Sequence, residues 1–311
     1  MQRFVSLFLL LPAIAHGDIL STVSPFFRSA DPDYDANDFS QNSITENSRR
    51  APFSPADSDF GIQEILGDTS QAAKFNFFGN IDFNYTDNAP AKLGGAEDGS
   101  FFSVARFGGS YQSLLAAGWF ADLGASIDSL EFERSQALDF QNLNTHVGLV
   151  KTLVDLDDSV FFLRYEYQRL TTGSFSQSDY SAQRLRAGLQ KVLFARSNQE
   201  LSASVSYAPD LDANAELLER VEYAAELSYT YWLFENVGAS ISWRAAYWDF
   251  DNAGREDWNQ TAGLELHWKL CPNSTVFTHV FFSNNDSNAA FGQNDFQAWT
   301  TGLGLGLNYS F

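Results

Sequence analysis

The sequence contains one cysteine, Cys271, among its 311 residues. A single cysteine cannot form a disulfide within the chain, and we assign this thiol, in a predicted turn at 271–274, no chemistry. Histidine and cysteine clusters with the spacing of zinc ligands are absent, and so is a glycine-rich phosphate loop that opens a helix. Acidic loops such as DLDAN and FDNAGRED lack the spaced ligands of a dedicated calcium loop. We therefore predict no metal site and no cofactor.

Basic residues are scarce. Lysine and arginine number 19 against 39 aspartates and glutamates, which gives a formal net charge of −20. Nucleic-acid binding requires a basic surface, so this class of partner is excluded. The acidic balance favours cations, or divalent ions held between the protein and anionic lipid headgroups. An alternative explanation is that the charge keeps a secreted intermediate soluble.

Long apolar runs are missing beyond the N-terminus, although 44% of the residues are hydrophobic. Transmembrane helices are therefore not expected past the first residues. Residues 1–17 are predicted to be a cleaved signal peptide: Arg3 precedes an apolar run at 4–15, and small residues follow at Ala13, Ala15 and Gly17. That run is too short for a membrane anchor, and without a cysteine nearby it does not predict a lipoprotein.

What the sequence does contain is alternation. In the stretch 296–311, large apolar residues from Trp299 to Phe311 alternate with small or polar ones, among them three glycines. This period of two is typical of a β-strand with one oily face. From residue 72 onward the chain divides into twelve such segments, which short turns and longer polar loops separate in alternation. An exposed apolar edge strand invites aggregation, so the last segment is predicted to pair with the first, at 74–85, and close a barrel.

Tyr309 and Phe311 carry a resemblance to a known family. In the outer-membrane β-barrels of Gram-negative bacteria the final strand typically ends in Phe, with Tyr and other apolar residues at alternate positions before it. The resemblance implies an all-β, antiparallel up-and-down transmembrane barrel of about twelve strands over 72–311. It also implies an outer-membrane location, contact with outer-membrane lipid and lipopolysaccharide, and recognition of Tyr309 and Phe311 by the assembly machinery. The short turns would then be periplasmic.

Aromatic residues provide a geometric check on this interpretation. Trp258 and Trp268 share one face of the predicted tenth strand, and Trp299 and Tyr309 share one face of the twelfth. Ten residues of tilted strand span roughly 25 Å along the membrane normal, the height of the apolar band of such barrels. We predict two aromatic girdles that include these four residues and Tyr85. A soluble β-sandwich, the alternative fold, would need no such spacing.

The segment 18–71 does not alternate, and its acidic, Asn- and Ser-containing composition is typical of an unstructured segment. If the barrel lies in the outer membrane, this segment is periplasmic. A linker is the favoured interpretation. A plug for the barrel and a docking segment for a periplasmic partner are the alternatives.

If the oily residues face lipid, the alternate positions face the lumen, and nearly every mid-strand charge falls there. The arginines and glutamates among them either form crossing salt bridges that fill the lumen, or line a polar pore as a basic ladder opposite an acidic one. We predict the following lumen-lining residues: Asp82, Arg106, Asp122, His146, Arg164, Glu166, Arg184, Arg186, Glu222, Glu226, Arg244, Glu265 and His267.

Catalysis has little support in the sequence. A serine hydrolase needs serine, histidine and an orienting carboxylate or amide in contact, and His146, His267 and His279 belong to no recognised motif. We predict no catalytic residues. The two-signed polar face predicts a passive channel for small polar or charged solutes. A structural or interaction barrel that contacts envelope partners is the alternative, ahead of a lipid-modifying enzyme.

Overall fold

The computed structural model of the protein describes residues 74–89, 99–116, 118–134, 139–153, 156, 159–171, 180–196, 198–271, 273–289 and 295–310. The predicted signal peptide, the acidic segment 18–71 and Phe311 lie outside these residues. Within the described part of the chain, no helix is long and apolar enough to cross a membrane.

Twelve antiparallel strands make up the fold. They are β1 (Lys74–Thr86), β2 (Ser100–Ala116), β3 (Trp119–Phe132), β4 (Phe140–Leu153), β5 (Ser159–Thr171), β6 (Tyr180–Arg196), β7 (Gln199–Ala213), β8 (Val221–Phe234), β9 (Val237–Phe250), β10 (Arg255–Cys271), β11 (Ser274–Ser287) and β12 (Phe296–Ser310). Among the described residues, 3₁₀ turns at Glu216–Leu218 and Asp251–Ala253 lie in the connections.

Each strand pairs with its neighbours in sequence, and β1 pairs with β12, so the sheet closes into a barrel. The closing ladder runs from Asn76 opposite Ser310 to Thr86 opposite Thr300. The backbone groups of β12 therefore find partners on both sides, which is what a sheet without an exposed edge requires. The predicted closed up-and-down barrel is confirmed, and the sandwich alternative is wrong.

Side chains alternate between the two faces of the wall as the pleat dictates. On β1, Phe77, Ile81 and Phe83 are exposed on the outside, whereas Asn80 and Asp82 are buried inside. The same alternation resolves β11, whose facing the sequence left open. There Val280 is exposed outside, and Phe277 and Phe281 are buried inside.

Several strands are longer than their apolar pattern. The alternation in the sequence predicts a seventh strand at 199–208, but β7 continues through Pro209 to Ala213. Backbone pairing with the neighbouring strand carries it onward regardless of polarity, and the register shifts opposite Gln183 and Arg184, where Asp212 and Asp210 are the partners. Such a bulge redirects side chains, and here it leaves Asp210 buried inside.

The interior is not uniformly polar, although the sequence predicted a polar inward face. In the part of the chain that the structure describes, three apolar clusters face inward at the ends of strands, two beside the longer connections and one beside the short turns. The first holds Phe102, Phe132, Phe140, Leu170 and Tyr180 with smaller neighbours. The second holds Phe120, Val150, Val160 and Phe162, and the third Ala224, Ala246, Trp248 and Phe250. Most of the inward charged residues lie in the layer between these ends, and Arg255 and Asp257 lie at the loop end of β10.

Candidate functional site

The polar layer contains the sequence-predicted lumen residues. Two of them, Glu226 and Arg244, are partly exposed. The rest are buried inside the barrel: Asp82, Arg106, Asp122, His146, Arg164, Glu166, Arg184, Arg186, Glu222, Glu265 and His267. Their inward direction follows from their position in the alternation, opposite to the exposed aromatic and aliphatic residues of each strand.

Glu222, on β8, is the centre of the largest ion-pair network. Its carboxylate accepts hydrogen bonds from Arg186 Nη1 at 2.9 Å and from Trp248 Nε1 at 2.7 Å. Arg244 Nη2 lies 3.3 Å from the same carboxylate and Arg220 Nη2 lies 3.8 Å from it. Three arginines and an indole thus surround one buried acid, so the charge of Glu222 is well compensated.

The same network extends from Glu222 toward β5 on one side and toward β9 on the other. Arg186 also donates to Glu166 at 2.9 Å, and Arg184 donates to Asp210 at 2.7 Å. Arg244 Nε lies 3.3 Å from Glu226. The network therefore links the strands from β5 to β9 across their side chains.

A second network lies on β2 to β5. Asp122 accepts a hydrogen bond from Arg164 Nε at 2.7 Å, and His146 Nε2 lies 3.2 Å from the same carboxylate. Beside it, Arg106 donates to Asp128 at 2.5 Å, and the amide of Asn144 donates to Asp128 at 3.1 Å.

Together the two networks contain six arginines and six carboxylates, so their formal charges cancel. We call them the arginine arc, defined by the inward residues of β2 to β9 and Arg220: Arg106, Arg164, Arg184, Arg186, Arg220 and Arg244 with Asp122, Asp128, Glu166, Asp210, Glu222 and Glu226. Of the two arrangements that the sequence left open, crossing salt bridges are the one present in this arc. Arg186 and Glu222 touch, so they do not form opposed ladders.

Glycines open space in the wall for the largest inward side chains. The ring of His146 lies over Gly124, and a Cβ on that glycine would meet the ring at 2.3 Å. Phe277 covers Gly304 in the same way at 2.2 Å, and His267 covers Gly238 at 2.1 Å. Each large side chain is directly paired with its glycine across the ladder. These side chains lie along the wall, over the neighbouring strand.

The remaining wall, formed by the inward residues of β10, β11, β12 and β1, has a different character, and we call it the Glu265 arc. One row across it consists of Glu265, His279, Gly302 and Asn84 in successive register. His279 Nε2 is 2.8 Å from Asn84 Oδ1, across Gly302. The next row consists of His267, Phe277, Gly304 and Asp82.

Positive charge is nearly absent from the Glu265 arc. Among the described residues, β11 and β12 contain no lysine or arginine, and β10 has none from Asp257 to His267. Lys269, the next inward position of β10 after His267, holds its Nζ over the Trp232 ring at 4.5 Å from the centroid, toward the short-turn end of the strand. Arg255, at the loop end of β10, pairs with Asp257 at 3.2 Å. Asp82 accepts its hydrogen bonds from the neutral amide of Asn80, at 2.9 and 3.1 Å.

The residues of the predicted girdles lie on the outer face, where lipid would contact them. Trp258, Trp268, Trp299, Tyr309 and Tyr85 are all exposed, Trp299 to 55%. Trp258 and Trp299 lie near the starts of β10 and β12, at the rim that carries the longer connections. Trp268 and Tyr309 lie near the ends of the same two strands, at the opposite rim.

Several members of the site were not predicted from the sequence. Asp128 lies an even number of residues from Asp122 on β3, and Asp257 lies an even number from Glu265 on β10. The alternation therefore places both on the inward face and could have identified them. Asp210 lies beyond 208, where the alternation ends the predicted seventh strand, and its inclusion depends on the bulge and on strand extension, which hydrophobicity does not reveal. Arg220 lies within the predicted eighth strand, 219–233, at the alternate positions of Glu222, although β8 itself begins at Val221.

Comparison with solved structures identifies the architecture. An outer-membrane channel of Pseudomonas putida F1 superposes with a TM-score of 0.55 at 8% identity, over 77% of this chain and 96% of that one. The fold is that of an outer-membrane β-barrel. Two porins resemble it more distantly: NanC, with a TM-score of 0.43 at 9% identity over 74% of this chain and 98% of that one, and KdgM, with 0.41 at 10% over 73% and 98%.

Comparisons at the level of sequence add no family. No protein-family model matches the chain, and no curated protein matches it.

Proposed function

We propose that the protein is an outer-membrane channel for small polar or charged solutes. The observation that carries this proposal is the polar layer, which lines the wall between the apolar strand ends in both arcs. Twelve strands give a backbone diameter of roughly 24 Å, which leaves space inside for side chains and a solute.

The energetics of the arginine arc support a role beyond holding the barrel together. Removing ions from water costs several kcal/mol each, and replacing buried ion pairs with packed apolar residues is often neutral or stabilising by about 1–4 kcal/mol. A wall that served stability alone would therefore gain little from six arginines and six carboxylates. Polar groups on a wall replace part of the hydration shell of a passing solute.

The Glu265 arc is the more suitable side for a solute path. On its β12 wall, Phe277 lies over Gly304 and the His279–Asn84 pair lies over Gly302, so these side chains lie along the wall and do not cross the lumen. Its loop end carries the polar residues Thr261 and Asn285. The arginine arc, in contrast, holds long side chains fixed to one another by ion pairs. We infer that solutes pass along the Glu265 arc while the arginine arc acts as a rigid backing.

Recordings in planar lipid bilayers test the proposal. Purified, folded protein should give discrete conductance steps in potassium chloride, and the same preparation unfolded by heat should give none. The outward variant Leu303→Ala, with its change on the lipid side, should conduct like the wild type. Folded wild-type protein without steps at any voltage would overturn the channel proposal.

A second candidate is a structural or interaction barrel that contacts envelope partners. It is favoured by the arginine arc, whose side chains are held to one another by ion pairs, and by the inward apolar clusters. Together they stiffen and narrow the interior. Deletion of residues 18–70 separates the two candidates. A channel should still conduct after this deletion, whereas a barrel that docks through this segment should lose its envelope partner in a pull-down.

A further inference from the structure

Glu265 differs from every acid of the arginine arc in its surroundings. Only 1% of its surface is exposed, and neither carboxylate oxygen has a hydrogen-bond partner among the described residues. The closest basic atom is His267 Nδ1 at 3.5 Å from Oε1, which is too long for a good hydrogen bond. Glu222, equally buried, lies among three arginines and an indole.

The neighbours of Glu265 do not compensate its charge. In its own row, His279 is turned toward Asn84, and on the other side Ser240 is paired with Thr230 at 3.0 Å between hydroxyl oxygens. The next row adds a second acid, Asp82, which accepts hydrogen bonds from the neutral amide of Asn80. The Glu265 arc is therefore acidic at mid-height, whereas the arginine arc is neutral.

His267 is also left without hydrogen bonds. Both of its ring nitrogens lack a hydrogen-bond partner among the described residues, and its ring lies over Gly238 and edge-on to Trp232 at 4.8 Å between centroids. An imidazole in this state can offer a lone pair to a cation. Two adjacent inward residues of one strand thus present unused acceptor atoms.

A buried carboxylate without a partner must be neutralised, because an uncompensated charge in the interior is costly. A mobile cation can supply this compensation in place of a proton, and the acidic balance of the chain favours its entry. In the described part of the barrel, no group of three acidic, histidine or cysteine side chains is arranged to hold a metal ion. One carboxylate with a neighbouring imidazole suits a weakly held, exchangeable ion better than a dedicated divalent site.

We propose that Glu265, with His267 beside it, is a binding site for a monovalent cation on the inner wall, which the ion reaches when the Glu265 side chain turns from its fully buried position toward the lumen. The site deepens the proposed function, on which its role in transport rests, because it would make the path along the Glu265 arc selective for cations. Asp82, one row away, adds to the attraction without contacting the ion. Anionic solutes would be disfavoured at the same point.

The first experiment measures the reversal potential of single channels in a potassium chloride gradient. The wild type should prefer potassium over chloride, and Glu265→Gln, which keeps the shape of the side chain, should lower the permeability ratio about fivefold, the factor that roughly 1 kcal/mol of lost attraction gives. Glu265→Asp should retain the preference. The matched control is Glu133→Gln, an exposed acid just past the end of β3, which should leave the ratio unchanged.

A second experiment keeps the site testable if Glu265→Gln does not fold. Wild-type crystals grown in rubidium chloride should show an anomalous rubidium peak bonded to the Glu265 carboxylate. Absence of that peak overturns the site, and so does an unchanged ratio in a folded Glu265→Gln channel. A wild type that holds rubidium and gives no conductance steps overturns the channel proposal and the role in selectivity, while the binding site stands.

Discussion

The indole Nε1 of Trp248, on β9, donates a 2.7 Å hydrogen bond to the carboxylate of Glu222 on the neighbouring strand β8. The face of the same indole lies 4.6 Å from the guanidinium of Arg220, a cation–π contact. Trp248 therefore connects the apolar cluster at the end of β9 with the ion-pair network, and the two parts of the interior depend on one another.

This dependence makes Glu222 a sensitive position. Glu222→Ala should leave Arg186, Arg220 and Arg244 without their shared carboxylate, and breaking one side of a buried ion pair costs about 3–5 kcal/mol. Urea unfolding in lipid vesicles should show a loss of that order in the free energy of unfolding. Glu133→Ala, an exposed acid outside the network, should change the free energy little. An equal loss in both variants would argue against the network as the cause.

Gly304 should tolerate no side chain. Any Cβ at this position would meet the Phe277 ring at 2.2 Å and Asp82 Oδ1 at 2.6 Å. Gly304→Ala should therefore destabilise the barrel by about 1–3 kcal/mol, the usual cost of overpacking. The decisive measurement is the double variant Gly304→Ala with Phe277→Leu. It should recover part of this free energy relative to the sum of the single variants, and strict additivity would contradict direct contact.

The closing ladder can be tested by cross-linking. Phe83 pairs with Leu303, and directly opposed residues of an antiparallel pair lie at Cα distances of about 4.5–5.5 Å, within the range of a disulfide. In a Cys271→Ser background, Phe83→Cys with Leu303→Cys should oxidise readily and give a barrel that resists unfolding by heat until it is reduced.

The control for this cross-link changes the register alone. Leu305 pairs with Ile81, so Phe83→Cys with Leu305→Cys places the thiols diagonally, at Cα distances of about 7–8 Å. Little disulfide is expected. Equal cross-linking in both variants would show that the register of β1 and β12 is not fixed.

The depths of the outward tryptophans give a fourth prediction. Trp258 and Trp268 lie toward opposite ends of β10, whereas Trp243 of β9 pairs with Ala262 between them. In variants that retain one of these indoles, lipids brominated near the headgroup should quench the fluorescence of Trp258 and Trp268 more strongly. Lipids brominated near the end of the acyl chain should quench Trp243 more strongly. Equal quenching profiles would refute the two girdles.

Much of the fold could be predicted from the sequence because a barrel wall repeats one simple rule. Alternation identified the twelve strands and the pairing of β1 with β12, and it gave the inward parity of residues such as Arg186 and Glu265. The partners of these residues could not be predicted. Whether Arg186 reaches Glu222 depends on strand register and on the bulge in β7, and neither leaves a signal in hydrophobicity.

The inward apolar residues show the second limit of prediction. Phe277 and Val276 are equally acceptable as lipid-facing residues by composition, and β11 was therefore ambiguous. The choice is made by Gly304 on β12, which leaves room for the Phe277 ring. That information lies on another strand, at a position known only when the register is known.

The ladder between β1 and β12 has a consequence for how the protein is made. These strands are the first and the last of the sheet, so any fragment that lacks one of them has unpaired strand edges. Every partly formed intermediate exposes two rows of unpaired amides and carbonyls, and a lipid environment offers them no substitute. Insertion into lipid therefore requires either that the twelfth strand has joined the first or that another protein pairs with the open edges until it does.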